Sequence, residues 1–363
     1  MSDNTRAALF SGPSQPLTIQ EFPLPRLGEG ETLIRVTCCT LCGSDLHTYQ
    51  GHRSTPTPTI LGHEILGWIE ALGPGDPVLD YAGRPVQIGD RVTWSVAASC
   101  GCCFFCERDL PQKCEQLFKY GHQQLTVEHS LSGGLANHCH LAAGSSLIRL
   151  PDELSDEVAC PVNCATATVA AALRVAGDCR DAVILIQGAG MLGLTACAMA
   201  HSRGAREVIA CDLDPHRLEL ARRFGATRCV QIADDASELR ETVQQLTLGR
   251  GADWAIEVCG AASAVETGLP LLRIGGRYVL VGAVFPGPPF SAVAEMIVSR
   301  LLTIQGIHNY APRDLADAVE FLVRYQHRYP FSELVTDTFA LDHAENAFQY
   351  AIGSRSLRVA VKP

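Results

Sequence analysis

The sequence predicts an α/β protein in two parts: a β-rich domain, followed by a domain built on a doubly wound parallel sheet. Residues 1 to about 160 carry short β-like runs separated by glycine and proline turns. From about residue 181, strands alternate with helices, and a glycine-rich turn joins the first of these strands to its helix. The predicted domains are residues 1–160 and 161–302, with a C-terminal segment, 303–363, that returns to the first domain.

The first part is predicted from four runs with strand character. These runs are Ala7–Phe10, Glu31–Cys38, Leu66–Leu72 and Arg91–Ser95. Turns that contain glycine or proline separate these runs. The pattern is typical of a loop-rich β domain.

The second part is predicted from apolar runs that alternate with helix-forming runs. The strands are predicted at Ala182–Gln187, Glu207–Asp212, Arg228–Ile232, Asp253–Cys259 and Arg277–Gly282, and the helices at Met191–Arg203, Pro215–Phe224, Ala236–Thr247 and Ser263–Leu272. Such alternation predicts βαβ units, and strands that are apolar throughout indicate that helices cover both faces of the sheet. After about Thr303 the alternation fades, with a helix predicted at Ala311–Tyr325 and a closing strand at Leu357–Val361.

Composition disfavours several classes of partner. The 363 residues carry a net charge of −10 and no Lys/Arg-rich run, so nucleic acid and anionic membranes are not expected partners. No apolar stretch reaches about 18 residues, and the N-terminus lacks the pattern of a secretory signal. We therefore expect a cytoplasmic protein. Its 16 cysteines then indicate metal ligands or reactive thiols before disulfides.

Four cysteines are closely spaced in one segment: Cys100, Cys103, Cys106 and Cys114. Four thiolates complete a tetrahedral shell around zinc and leave no open position, so this pattern predicts a structural zinc site. The spacing excludes Cys102 as a regular member. Free thiols or an iron–sulfur cluster are the alternatives for the same four residues.

A second metal site is predicted from residues far apart in the chain: Cys42, His63 and Cys164. Two cysteines and one histidine leave the fourth position of tetrahedral zinc free, which is the arrangement of a catalytic site. Zinc there would lower the pKa of an alcohol or polarise a carbonyl. Each residue alone is a weak signal, and only the combination supports the prediction.

The glycine-rich turn has the pattern GxGxxG, with Gly188, Gly190 and Gly193. It lies between a predicted strand and a predicted helix whose N-terminus can bind a pyrophosphate. Asp212 ends the next predicted strand, where a carboxylate accepts hydrogen bonds from the adenosine ribose and repels a 2′-phosphate. The motif therefore predicts an NAD site, with Arg217 as a further candidate beside the ribose or the adenine.

With these motifs in place, the chain resembles the zinc-containing medium-chain dehydrogenases, the family of alcohol, sorbitol and threonine dehydrogenases. The resemblance extends from Cys42 to Arg358, and the motifs stand in the family's order: Cys-Gly-Ser-Asp at 42–45, Gly-His-Glu at 62–64, the four cysteines at 100–114, the glycine motif at 188–193, and Asp212. It implies a GroES-like catalytic domain made from both chain ends and a Rossmann domain inserted between them. It also implies two zinc ions per chain, NAD, a small alcohol or carbonyl substrate, and a homodimer or homotetramer.

Several roles follow from the resemblance alone. Cys42, His63 and Cys164 match the catalytic zinc ligands, and Asp45 matches the acid that orients a ligand. Ser44 matches the hydroxyl that takes the substrate proton, and His47 the histidine that relays it to solvent. The remaining matches are Glu64, which approaches the metal during ligand exchange, Thr168 near the nicotinamide, and Arg358 at the pyrophosphate.

The segment around the third ligand departs from the family pattern. It reads Asn163-Cys164-Ala165-Thr166-Ala167-Thr168, where the family often has Gly-Cys-Gly, and Cys160 lies four residues upstream as an alternative ligand. Sorbitol-type members use a glutamate in this region. The run Lys119-Tyr120-Gly121-His122 is similar to a subgroup associated with phosphonate catabolism.

The predicted function is hydride transfer between an alcohol, or its aldehyde or ketone, and NAD through a zinc-bound alkoxide. NAD is expected to bind first, and the substrate proton to leave through Ser44, the nicotinamide ribose and His47. The alternative is a zinc-scaffolded NAD-binding or redox-sensing protein that does not turn over alcohols. The abundance of cysteine is the feature that supports this alternative.

Overall fold

The computed structural model describes residues 4–233, 235–354 and 356–363. In it, β1 alternates in the way a half-buried strand requires, with Thr5 and Ala7 buried and Asn4 and Arg6 exposed. The strands before Cys164 are β1 (Asn4–Phe10), β2 (Thr18–Pro23), β3 (Thr32–Thr40), β4 (Thr59–Ile60), β5 (Glu64–Leu72), β6 (Arg91–Trp94), β7 (Ala97–Ala98), β8 (Phe118–Lys119), β9 (His138–Leu141) and β10 (Leu147–Arg149). The helices there are α1 (Gly43–Tyr49) and α2 (Asp156–Ala159).

The middle of the chain alternates strand and helix as predicted. Its elements are α3 (Ala165–Ala176), β11 (Val183–Gln187), α4 (Met191–Ser202), β12 (Glu207–Asp212), α5 (Pro215–Arg223), β13 (Arg228–Gln231), α6 (Ser237–Thr247), β14 (Ala252–Glu257), α7 (Ala262–Gly268), β15 (Leu272–Leu280), α8 (Ala294–Ser299) and β16 (Thr303–Gly306). The predicted helix Ser263–Leu272 is wrong at its end: α7 stops at Gly268, and a short 3₁₀ turn, Leu269–Leu271, follows. Pro270 accounts for this, because proline has no N–H to bond the carbonyl four residues earlier and its ring crowds that carbonyl.

The C-terminal part is more regular than the sequence indicates. It contains α9 (Pro312–Tyr325), β17 (Val335–Ala340), α10 (Ala344–Gly353) and β18 (Arg358–Lys362). Strands β17 and β18 pair in parallel, so strand–helix–strand alternation continues where we expected it to fade. Strand β18 also pairs antiparallel with β3, with Ala360 opposite Thr40, and this contact joins the chain end to the N-terminal sheet.

The chain divides into two units. Unit 1 comprises the chain up to Ala167 together with Ala311–Gln326 and Phe331–Pro363, and unit 2 comprises Thr168–Tyr310 and His327–Pro330. These boundaries lie later than the ones placed at residues 160 and 302 from the sequence, and the first falls within α3.

Unit 1 holds the β-rich part. Its largest sheet has the order β10-β6-β5-β3-β18-β17, with β9 paired to β3, and a smaller sheet has the order β2-β1-β4. The core between them is apolar and includes Phe10, Ile34, Ile65, Trp94 and Phe348. This rigid framework fixes the loops that leave β3 and enter β5, where the candidate metal ligands lie.

Unit 2 holds one six-stranded sheet with the order β13-β12-β11-β14-β15-β16, parallel throughout. Its first strand, β11, lies in the middle, and all five of its residues are buried. The order reverses between β11 and β14, and in such sheets ligands bind at the carboxyl ends of the strands beside this switch point.

Helix α3 follows a one-turn 3₁₀ helix, Cys160–Asn163, which continues directly from α2. Among the described residues, no single helix is both long and apolar enough to cross a membrane. The bent pair Asp156–Asn163 and Ala165–Ala176, with an angle of 52°, meets that criterion by length and composition only.

Candidate active site

The first candidate ligand, Cys42, is positioned by the start of a helix. It is the N-cap of α1 and has extended backbone angles, φ −86° and ψ 157°. The Asp45 carboxylate returns to this cap and accepts the Cys42 N–H through Oδ2 at 2.9 Å. A carboxylate at the third helical position satisfies a backbone donor that the helix leaves free, so the sequence Cys-Gly-Ser-Asp holds Cys42 in place.

The same carboxylate holds the second candidate ligand. Oδ1 of Asp45 accepts the Gly62 N–H at 3.2 Å and lies 3.1 Å from Nδ1 of His63. Asp45 is 1% exposed and His63 is 3% exposed, so neither side chain exchanges this bond for one to water. Because a carboxylate only accepts, Nδ1 of His63 carries a hydrogen, and Nε2 is the ring atom that a metal could bind once it loses its proton.

The third candidate, Cys164, follows the 3₁₀ helix Cys160–Asn163. The Asn163 amide ties this segment to the His63 loop: it donates to the carbonyls of His63 at 3.2 Å and Trp94 at 3.1 Å and accepts the Ile65 N–H at 3.3 Å. Cys160 lies elsewhere, with its thiol bonded to the carbonyls of Cys38 and Glu64. The structure thus places Cys164, rather than Cys160, beside the other candidates.

Ligand atoms of Cys42, His63, Glu64 and Cys164 lie within 4.8 Å of one another. The sulfurs of Cys42 and Cys164 are 3.9 Å apart. Two sulfurs bound tetrahedrally to zinc at about 2.3 Å stand roughly 3.8 Å apart, so this pair fits the metal without rearrangement. A Cys₂His set is that of a catalytic zinc with one further position for substrate.

The charges in this cluster shift the pKa of each candidate ligand. The hydrogen bond from Cys164 is the main cause that lowers the pKa of Cys42 well below its usual value, and the same bond raises the pKa of Cys164. Burial lowers the pKa of His63, but the charges and hydrogen bonds of Asp45 and Cys42 together outweigh burial and raise the pKa to about 10. Before metal binds at pH 7, His63 and Cys164 therefore each hold a proton, and the thiol of Cys42 ionises more readily than that of Cys164.

Both protons must leave when the metal binds, which makes the affinity depend on pH. We expect about two protons released per zinc ion at pH 7, and an affinity that falls roughly a hundredfold for each pH unit of acidification. Calorimetry in buffers of different ionisation enthalpy measures this number. Zinc is kept bound to the other cluster, Cys100, Cys103, Cys106 and Cys114, during the titration. Release of no protons would contradict the charge states assigned to His63 and Cys164.

Glu64 is fully buried and paired with Arg358. Nε of Arg358 lies 2.8 Å from Oε2 of Glu64, Nη2 lies 2.9 Å from Oε1, and the Thr40 hydroxyl donates to Oε2 at 2.6 Å. Burial raises the pKa of Glu64, and the charge of Arg358 opposes that rise. These contacts of Thr40 and Arg358 were not predicted from the sequence, since they join strands β3, β5 and β18 across the sheet.

Arg358 was predicted at a pyrophosphate, but the structure gives its guanidinium a different set of partners. It is 6% exposed and bonds to Glu64, to the carbonyl of Leu357 and, through Nη2, to the Cys42 sulfur at 3.5 Å. A cation at this place stabilises the Cys42 thiolate. The pyrophosphate contact stays a prediction.

Ser44 and His47 lie on α1, three residues apart and so on one side of the helix. Oγ of Ser44 is 3.4 Å from Nε2 of His63, the atom directed to the metal. Nδ1 of His47 is 3.5 Å from Nδ1 of His52. Burial, and then the nearby His52, lower the pKa of His47, so its imidazole is neutral at pH 7 and able to accept a proton.

A second cluster in unit 1, the four-cysteine lobe, consists of Cys100, Cys103, Cys106 and Cys114. Cys103 lies 3.5 Å from Cys106 and 3.8 Å from Cys114, sulfur to sulfur, and Cys114 lies 3.4 Å from Cys100. Backbone N–H groups of Glu115 and Cys106 lower the pKa of Cys103 to about 6. Cys102 is exposed and lies outside the four. Four sulfurs at these distances fit a tetrahedral metal with no free position.

The glycine motif in unit 2 follows β11. Gly188 has φ +102°, and a Cβ there would lie 3.0 Å from Cβ of Cys259. A Cβ at Gly193 would collide with the Gly188 carbonyl oxygen, whereas one at Gly190 would meet nothing within 4 Å. Gly190 is the N-cap of α4, so the space beside it lies at a helix N-terminus, where backbone N–H groups bind phosphate.

Asp212 lies at the end of β12, next to this motif. Its carboxylate accepts the N–H groups of Ala189 at 2.6 Å and Asp214 at 2.9 Å, and Nη1 of Arg217 is 4.0 Å away. Asp212 and Arg217 line a cavity of about 530 Å³ with residues that follow strands β11 to β14, among them Gly188, Ile232 and Cys259. The position and the acid fit the adenosine part of a dinucleotide. Thr168 is half-buried on α3.

Family models match both parts of the chain. One described as "Alcohol dehydrogenase GroES-like domain" matches residues 28–152, and one described as "Zinc-binding dehydrogenase" matches residues 192–324. The 5-exo-hydroxycamphor dehydrogenase of Pseudomonas putida is 34% identical over 340 residues, which cover 91% of each chain. The chain belongs to the zinc-containing medium-chain alcohol dehydrogenase family, as the motifs predicted.

Other relatives support the same fold. The L-threonine 3-dehydrogenase of Anaeromyxobacter dehalogenans is 29% identical, covering 94% of this chain and 93% of that protein. The solved alcohol dehydrogenase of Thermotoga maritima has a TM-score of 0.93, with 28% identity and 99% coverage of both chains. The predicted GroES-like and Rossmann parts are confirmed, and the protein is an oxidoreductase that uses zinc and a nicotinamide dinucleotide. A binding or sensing protein without turnover is not favoured.

Proposed function

We propose that the chain transfers hydride between a small alcohol, or its carbonyl form, and NAD, with the reaction centred on Cys42, His63 and Cys164. The observation that carries this proposal is the convergence of these three ligand atoms, with the Cys42–Cys164 distance of 3.9 Å that zinc requires. The ligand set leaves one position for substrate. We propose that the four-cysteine lobe holds a second, structural zinc ion.

When bound, zinc supplies a Lewis acid that lowers the pKa of the substrate hydroxyl, and NAD accepts the hydride. Ser44 takes the hydroxyl proton, a role supported by its position 3.4 Å from Nε2 of His63. His47 receives the proton next, because its lowered pKa leaves it neutral and its edge reaches solvent. Asp45 keeps His63 oriented with Nε2 toward the reacting side.

In this proposal, Glu64 and Arg358 affect the metal site through the contact of Arg358 with the Cys42 sulfur. Arg358 neutralises the buried carboxylate and contacts the Cys42 sulfur, which keeps that sulfur a weaker donor to the metal. Glu64 approaches the metal only if the pair with Arg358 opens. Thr168 and Arg358 stay candidates for dinucleotide contacts, as does Arg217 at the cavity.

NAD is proposed over NADP because Asp212 would repel a 2′-phosphate. We expect Asp212→Asn to raise the KM for NAD about tenfold and to permit turnover with NADP, since the amide still accepts the Ala189 N–H but carries no charge. Asp214→Asn, at the N-cap of α5, is the matched control and should leave the coenzyme ratio unchanged. Initial rates with NAD and with NADP measure this coenzyme ratio. An unchanged ratio in Asp212→Asn would contradict the role proposed for Asp212.

The proposed activity is tested by NADH absorbance with primary alcohols, secondary alcohols and polyols. Oxidation of any of them with formation of NADH, lost on removal of metal by a chelator and restored by zinc, supports the proposal. Absence of turnover with all of them and both coenzymes, in protein that carries zinc, would contradict it.

We also propose that the protein acts in the cytoplasm as a homodimer or homotetramer. Strand β16 (Thr303–Gly306) is an edge of the unit 2 sheet, and the exposed apolar side chains of Val298 and Leu301 stand close to it in sequence. An edge strand with apolar neighbours favours association. Light scattering on the native protein distinguishes multiples of the 39.0 kDa chain.

A further inference from the structure

The segment Lys119–His122 folds directly against the loop that carries His63. Gly121 has φ +72°, and a Cβ there would lie 2.7 Å from the Gly62 carbonyl oxygen and 3.1 Å from Cβ of His63. The rings of His122 and His63 have centroids 5.1 Å apart. Gly121 and the ring of His122 therefore lie next to the proposed catalytic ligand His63.

Arg53 joins this group through a neutral histidine. Nδ1 of His122 lies 2.9 Å from the Tyr120 carbonyl, which only accepts, so Nδ1 carries the hydrogen. Nε2 is then an acceptor, and it receives Nη1–H of Arg53 at 2.6 Å. His122 is 8% exposed, so these two hydrogen bonds are shielded from water. The bond holds the Arg53 guanidinium in place without neutralising its charge.

Lys119 is a second cation in this segment, and its carbonyl oxygen accepts the His122 N–H at 3.2 Å. It is partly buried on β8, and burial, followed by the charge of Arg53, lowers its pKa to about 8, so it is still protonated at pH 7. Over residues 4–233, 235–354 and 356–363, neither Arg53 nor Lys119 forms an ion pair with an acidic side chain. Two neighbouring cations in a partly buried place repel each other, and this costs free energy unless an anion binds between them.

The acidic groups nearby already have other partners. Glu64 is paired with Arg358. The thiolates of Cys42 and Cys164 would offset the two charges of a zinc ion. Among the described residues, Asp45 is the carboxylate that acts on Arg53, and its oxygens are bonded to Cys42, Gly62 and His63. Two cations therefore face one uncompensated carboxylate, and the site would carry an excess of positive charge once zinc is bound.

We propose that Arg53 and Lys119 bind an anionic group of the substrate, so that the preferred alcohols carry a carboxylate or a phosphoryl or phosphonyl group. Such a group accepts the fork of Arg53 and the point charge of Lys119 together. The proposal rests on the proposed function, because it names the substrate class of the same site. The polar head of the substrate then fixes its hydroxyl beside the metal.

The test compares three alcohols of similar size: 3-hydroxypropionate, 2-hydroxyethylphosphonate and 1-propanol. We expect the native enzyme to favour at least one anion over 1-propanol. Lys119→Met should lower kcat/KM for that anion about tenfold or more, through KM, and change 1-propanol less than about twofold. The matched control is Lys113→Met, which removes an exposed lysine six residues earlier in the chain. Lys119→Arg keeps the positive charge and should retain the preference for the anion.

The anion that the enzyme favours identifies the anionic group of the substrate as a carboxylate or a phosphonate. A native enzyme that prefers 1-propanol, or an equal loss for all three alcohols in Lys119→Met, would overturn the subsite and leave the proposed function standing. Calorimetric binding of inorganic phosphate and acetate to the zinc-loaded protein is a second readout. If no alcohol is oxidised, the proposed function fails, and anion binding that Lys119→Met does not weaken would overturn the subsite as well.

Discussion

Replacing Cys42 with serine should lower alcohol oxidation by about a thousandfold or more while dinucleotide binding is unchanged. A serine hydroxyl is a poor zinc ligand at neutral pH, and the variant also loses the thiolate that contacts Cys164 and Arg358. Loss of a Lewis acid that supplies several kcal/mol corresponds to about three factors of ten in rate. The rate of NADH formation and the Kd for NADH measure the two quantities separately.

Cys160→Ser is the matched control for this variant. Cys160 is also buried close to Glu64, but its thiol donates to the carbonyls of Cys38 and Glu64, and a serine hydroxyl donates to the same acceptors. We expect it to keep its zinc and its turnover within about threefold. Loss of catalytic zinc in Cys160→Ser, with retention in Cys42→Ser, would show that the third ligand and the first have been assigned wrongly.

The second large effect is expected on stability. Arg358→Met should lower the free energy of unfolding of unit 1 by about 3–5 kcal/mol, because it leaves the Glu64 carboxylate buried without its partner. The double variant Glu64→Gln/Arg358→Met should recover most of this loss, since the amide carries no charge and still accepts the Thr40 hydroxyl.

Urea unfolding measures this difference in a Trp254→Phe background. Fluorescence then reports only Trp68 and Trp94, which both belong to unit 1. The signal therefore follows the unfolding of unit 1 and not that of unit 2. Equal destabilisation in the single and double variants would contradict the account of the buried pair, since the loss would then reflect packing of the Arg358 side chain rather than its charge.

Local sequence patterns predicted most of the elements of the fold. Apolar runs separated by helical runs predicted β11 to β14 to within a few residues, because buried parallel strands and the helices between them each have their own periodicity. Strand β17 was missed because its polar side chains are partly exposed and its pairing with β18 is formed between distant segments. The end of α7 was missed because the effect of Pro270 was not taken into account.

The candidate site could be predicted as a set of residues but not as a network. Residue type and family order indicated Cys42, His63 and Cys164, since few side chains bind zinc. The amide of Asn163, the Glu64–Arg358 pair and the Arg53–His122 bond join residues 98, 294 and 69 positions apart. No local pattern specifies such contacts, because they depend on how the sheet brings its strands together.

The central claim is that Cys42, His63 and Cys164 hold the metal at which an alcohol reacts. The most direct measurement is zinc per chain in the native protein and in Cys42→Ser, Cys160→Ser and Cys103→Ser, with turnover measured on the same samples. The account predicts about two zinc ions in the native protein and in Cys160→Ser, and about one in each of the other variants. Full zinc content together with full turnover in Cys42→Ser would contradict it.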